Sequence, residues 1–183
     1  MALEDVGLKA MRKTEEKQNS SETKIKSRAG LVINIFAALL AANTFINNGL
    51  SSTIMNNTIK ANDIWNFYQA KSIKQTMYEL AAAEMKDPIL VQKFLDKAAG
   101  YESDPVTKEG KKELFEEAKK LEADRDVAKR KTPWIAYAST AFQLAIVVLS
   151  TSILSASAML FYGSFVFAIT GVMLMLQGIM LWF

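Results

Sequence analysis

The chain has 183 residues, half of them hydrophobic, and a net charge of +3. It contains neither cysteine nor histidine, which excludes disulfides, thiolate chemistry, imidazole metal sites and the commonest general base. All 41 formally charged side chains lie between Glu4 and Lys131, so the last 52 residues carry none. A soluble domain seldom leaves so long a terminal segment without a wet face.

Residues 1–28 hold five acids and seven bases. Acids this close to the start argue against a cleaved signal peptide, and the segment reads as a polar N-terminal helix or tail. Residues 29–50 form the first charge-free run, long enough to cross a hydrocarbon layer of roughly 30 Å. Placed on a helix at 100° per residue, Gly30, Asn34, Ala37, Ala41, Thr44 and Asn48 share one narrow side. Small residues admit a second helix closely and amides can bond across such a contact, so this side is expected to face another helix. Leu31, Ile35, Leu39 and Ile46 are expected to face lipid or other apolar side chains.

The same phase continues through Ser52, Met55, Ile59, Asn66, Ala70, Ile73, Met77 and Leu80. Steps averaging close to 3.6 residues predict one straight helix over about 30–86, roughly 85 Å long. A break at Asn56-Asn57 is the rival reading. Asp87-Pro88 reads as an N-cap with proline at the first helical position, opening a helix over about 88–98 that Gly100 would stop. Asp104-Pro105 predicts another start, for a charged helix over about 106–131 folding back along the first. Thr132-Pro133 predicts a third, opening a second span over 133–154. A third span covers 159–183, with the turn at Ser155-Ala156-Ser157-Ala158 or, as the alternative, at Tyr162-Gly163-Ser164. Gln143 and Thr170 come to similar depth across this hairpin and are expected to bond there. The fold expected is all-α: three transmembrane helices, a first helix protruding from the bilayer, and an extramembrane helical region over 51–132.

Within 62–75, NDIWNFYQAKSIKQ, the residues fall on three sides of the helix. Ile59, Asn66, Ile73 and Met77 continue the packing side, with Asn66 placed like the single amide that fixes register in a coiled coil. Lys60, Asp63, Phe67, Lys71 and Lys74 form a second side, a candidate docking surface for protein or a lipid headgroup, where lysines can pair with Asp63 or lie on rings. Trp65 and Tyr68 belong to the same candidate surface but face a third side, where the 106–131 helix would cover them.

Asp63-x-Trp65-x-x-Tyr68-Gln69-Ala70-Lys71-Ser72-Ile73-Lys74 resembles the signature of a bacterial membrane family of unknown function, domain-of-unknown-function family 4337. The resemblance covers most of 29–183 and implies three spans, without implying an activity. Similar members carry a basic cluster between the last two spans, where this chain has Ser155-Ala156-Ser157, and some carry a glutamate where Gln143 stands. Lys24, Lys26 and Arg28 balance Lys129, Arg130 and Lys131, so flanking charge alone does not orient the chain. The family's basic loop implies a cytoplasmic N-terminus and hairpin turn, with residues 51–132 outside; the alternative is a cytoplasmic 51–132 region with the N-terminus translocated or the first segment lying shallow.

No catalytic, metal-binding or cofactor-binding pattern appears, and alternating charges give no stripe for nucleic acid. The expectation is a non-enzymatic integral membrane protein, in a bacterial inner membrane, that contacts lipid and self-associates or serves as a scaffold or accessory subunit. The alternative is a small channel or transporter component with an uncharged polar path.

Overall fold

A computed structural model describes the backbone of residues 2–181 and the side chains of Lys13, Thr23 and residues 26–181. It contains four helices: α1 Ala2–Glu84, α2 Pro88–Glu102, α3 Lys111–Ser155 and α4 Ala158–Met180. No strand occurs among the described residues. α1 runs through Asn56-Asn57 without a break. The chain divides into two compact units, one made of the residues up to Gly49 and those from Lys131 onward, the other of Leu50–Arg130.

In the first unit α1 lies antiparallel to α3, and α3 and α4 form a hairpin. Ala29 and Phe36 of α1 are buried with Ala145, Leu149 and Ala168. Val32, Ile33, Ile146, Ile153, Phe161 and Phe165 pack around them. Phe36 meets Phe165 edge-on at 5.6 Å. α3 and α4 approach closely at two glycines seven residues apart. A Cβ on Gly171 would stand 2.8 Å from the Phe142 ring, and one on Gly178 would stand 2.7 Å from Ile135. A Cβ on Gly163 would meet open space.

The hairpin turn falls at the expected residues. Ala156 takes the left-handed conformation, φ 48°. Ser157 N donates to Ser152 O at 3.2 Å. Ser152 Oγ donates to Ser157 O at 2.9 Å. The six-to-one backbone bond closing on a left-handed residue is the Schellman way of ending a helix, here with alanine where glycine is usual.

In the second unit α2 and the first part of α3 pack on α1. Asp87 caps α2, accepting from Ile89 N at 2.9 Å. α2 continues through Gly100 to Glu102, further than the sequence suggested, and ends at an extended Ser103. The Asp104-Pro105 start signal builds a turn instead of a helix. The Asp104 carboxylate accepts from Val106 N, Thr107 N and Thr107 Oγ1. An aspartate so satisfied folds the backbone locally, and α3 begins later, at Lys111. Gly110 makes that start possible: a Cβ there would lie 2.5 Å from Ser103 Cα and closer still to Asp104 N.

Pro133 sits inside α3 and opens no new helix. Proline lacks the N–H that would bond the carbonyl four residues back, so the expected boundary was reasonable locally. Packing on both sides of it overrides the local preference: Ala128, Ile135 and Ala138 are all buried.

Candidate functional site

α1, α3 and α4 are each long and apolar enough to cross a membrane, with mean hydropathies of 2.0, 1.6 and 2.0 over their most apolar windows. This length and composition suit a membrane location. Tyr137 and Tyr162 stand exposed towards opposite ends of the α3–α4 hairpin, as interfacial aromatics do.

The side of α1 that packs within the first unit is not the small, amide-rich one. It is Ala29, Ile33, Phe36, Leu40, Asn43 and Asn47, every one buried or half-buried. The steps alternate four and three, a heptad spacing that keeps one seam against a neighbour. Larger apolar groups on this side remove more surface from lipid or water than alanines would. The second unit uses the same spacing: Leu50, Ile54, Asn57, Ala61, Ile64, Tyr68, Lys71, Gln75, Tyr78 and Ala82 are all buried or half-buried.

Gly30, Asn34, Ala37, Ala41, Thr44 and Asn48 are all exposed on the chain. So are Ile59, Asn66, Ile73 and Met77, the last two at 63% and 64%. The residues expected to face lipid divide: Leu31 and Ile35 are exposed, whereas Leu39 and Ile46 are half-buried.

Gln143 and Thr170 do not meet. Both are exposed, and Thr170 Oγ1 donates to Val166 O of its own helix at 2.9 Å. The expected bond across the hairpin is absent because both side chains point away from the seam that Phe142 and Gly171 fill. Thr44, Thr140, Ser150 and Thr151 likewise donate to the carbonyl four residues back. Amides cannot satisfy both ends this way. Asn34, Asn48 and Gln143 make no side-chain hydrogen bond among the described residues.

The signature region splits in two. Trp65 is covered by α3, as expected: its ring meets Phe115 and Tyr68, each at 5.5 Å, and its Nε1 donates to Glu122 at 3.0 Å. Lys71 lies 4.8 Å from the Phe67 ring and pairs with Glu109 at 3.3 Å. Its acidic partner is thus on the α2–α3 connection and not Asp63. Tyr78 stacks on Tyr101 and meets Phe94. Lys97 Nζ lies 5.8 Å from its ring centre. Lys60, Asp63, Phe67 and Lys74 remain exposed. Beside them, Lys74, Met77, Tyr78, Ala81, Phe94 and Tyr101 line an open groove of about 570 Å³.

Lys111, which no sequence pattern singled out, ties the second unit together. Its Nζ bonds Glu102 at 3.0 Å and Gln75 at 2.9 Å, joining all three helices. The hydrogen bond from Lys111 holds the Glu102 carboxyl below its ordinary value. The Ser103 hydroxyl does the same for Glu113, Thr107 for Asp104, and Lys119 with Trp65 for Glu122. These carboxylates are structural anchors. Among the described residues no cluster of acids converges as a metal site.

No curated protein and no solved structure matches the chain. A family of unknown function does, over residues 25–181, nearly the whole of both units. The signature, the α2–α3 connection and the closing hairpin all fall inside that match, and the chain belongs to the family described as Domain of unknown function (DUF4337).

Proposed function

We propose that the chain is a non-enzymatic integral membrane protein of a bacterial inner membrane that self-associates, as a scaffold or as an accessory subunit of a larger assembly. One observation carries this reading: the side of α1 bearing Gly30, Asn34, Ala37, Ala41, Thr44 and Asn48 is left uncovered by the rest of the chain. Small residues there admit a helix to close range, where dispersion contacts act and an amide finds a partner. Gln143 supports the same reading. It lies near the middle of the charge-free part of α3, faces outward and has no hydrogen-bond partner among the described residues. An amide bare to hydrocarbon is costly, and a neighbouring helix relieves that cost. In the second unit, taken by itself, Ile59, Asn66, Ile73 and Met77 are likewise exposed and available to a partner.

Sizing by light scattering in a mild detergent tests the proposal. An assembly of defined mass is expected for the full chain. Monomer alone at high protein concentration, both in detergent and after cross-linking in membranes, would overturn it.

A further inference from the structure

Asn43, in the first unit, is a polar side chain with no exposed surface. Its Nδ2 donates to Ile135 O at 2.8 Å and to Ser139 Oγ at 2.7 Å. A carbonyl oxygen only accepts, so the amide nitrogen must be the atom facing Ile135. Both amide hydrogens are then engaged, and Oδ1 is turned elsewhere. That oxygen is buried and has no hydrogen-bond partner among the described residues, and the same holds for Asn47 Oδ1. Residues four apart on a helix are neighbours on one side, about 5–6 Å between Cβ atoms. Two acceptors therefore sit buried one turn apart, and the Ser139 hydroxyl lies against the Asn43 amide. Ser139 accepts from Asn43 and still has its own proton to give.

We propose that this cluster is a binding site for one water molecule, which donates one O–H to Asn43 Oδ1 and the other to Asn47 Oδ1. Its oxygen accepts from Ser139. Buried waters characteristically make about three such bonds, and water supplies two donors where two acceptors lack one. A cation fits less well. Hard cations take six or more oxygens, and a bare charge in a span without any charged side chain is strongly disfavoured. The site also explains what holds α1 against α3 lengthwise. An apolar heptad seam tolerates a slip, whereas a polar contact with fixed partners selects one register.

The test is the sign of one substitution, read with a structure of the unaltered protein in nanodiscs. If water joins the two oxygens, Asn47→Leu breaks a satisfied network and lowers the Tm by several degrees. If Asn47 Oδ1 has no partner, the same change removes a stranded acceptor and raises the Tm, which would overturn the proposal. The structure should show a peak about 2.7–3.0 Å from both amide oxygens. A Tm that depends on exchanging sodium for potassium or choline would assign the site to a cation and equally overturn it.

Discussion

Trp65 and Glu122 lie 57 residues apart in sequence and are joined by an indole N–H to carboxylate hydrogen bond of 3.0 Å. The bond fixes which turn of α3 faces the signature turn of α1. Lys119 lies 5.6 Å from the same indole and pairs with the same carboxylate. Trp65→Leu keeps an apolar group but loses two edge-to-face contacts, and should lower stability by about 1–3 kcal/mol. Trp65→Phe keeps the ring contacts and loses only the N–H, so it should fall in between. Thermal unfolding followed by circular dichroism distinguishes the three proteins.

Gly110 is needed for lack of space rather than for unusual dihedral angles. A methyl group there meets backbone atoms of Ser103 and Asp104, which cannot swing aside as a side chain would. Gly110→Ala should cost about 1–3 kcal/mol by overpacking. Limited proteolysis should then cut the 103–110 connection sooner than in the parent.

Acid should weaken the second unit. Glu102, Glu113 and Asp104 are held below their ordinary values, 4.5 for glutamate and 3.8 for aspartate, by the bonds their charged forms accept. A carboxyl with a depressed folded-state pKa binds fewer protons folded than unfolded. Its contribution is therefore complete above the unfolded value and is lost as pH falls through the folded one. The Tm should be flat from neutrality to about pH 5 and fall below about pH 4.5. Glu113→Gln should shallow that fall, since an amide oxygen still accepts from Ser103 without titrating.

Ala156 occupies a left-handed position that glycine reaches without strain. Ala156→Gly should stabilise the α3–α4 turn by about 1 kcal/mol, as a small rise in Tm. Elsewhere in these helices the same change should destabilise.

Assembly should respond to the outward amides. Asn34→Leu and Gln143→Leu each delete a polar group exposed within a candidate span. If neighbouring copies satisfy these amides, both changes should shift light-scattering mass towards smaller species while leaving the helical content intact. Since the chain has no cysteine, single cysteines introduced at Ala37, Ala41 and Gln143 give a clean cross-linking map. Cysteine at the fully buried Ala145 should remain unlinked.

Much of the fold was legible in the sequence because the signals were local and physically plain. The charge-free stretches located the helices suited to a membrane. Asp87-Pro88 marked the start of α2, and of the two turns the sequence allowed, Ser155–Ala158 and Tyr162–Ser164, the first is the one formed. The Trp65 rings were correctly expected to lie beneath α3. Misreadings came where tertiary packing outweighed a local cue. Pro133 looked like a boundary yet lies within α3, and Asp104-Pro105 looked like a cap yet made a turn. The wheel drawn at 3.6 residues found a coherent side, but one the chain leaves exposed. The heptad seam through Ala29, Phe36 and Asn43 was present in the same letters. Large residues mixed with asparagines hid it, because a burial face is usually sought as an unbroken apolar row. Lys111 carried no signal at all, since its partners Glu102 and Gln75 are defined only once three helices meet.

The back-bonded hydroxyls of α3 and α4 alter how these helices present themselves to a bilayer. Thr140, Ser150, Thr151 and Thr170 have each turned their proton inward to their own backbone, so acyl chains meet mostly methyl groups and methylenes. A hydropathy scale counts all four as polar and understates how comfortably these segments sit in oil. Gln143 is an exposed amide on them that its own helix cannot silence, and a change of lipid thickness or composition should be felt there.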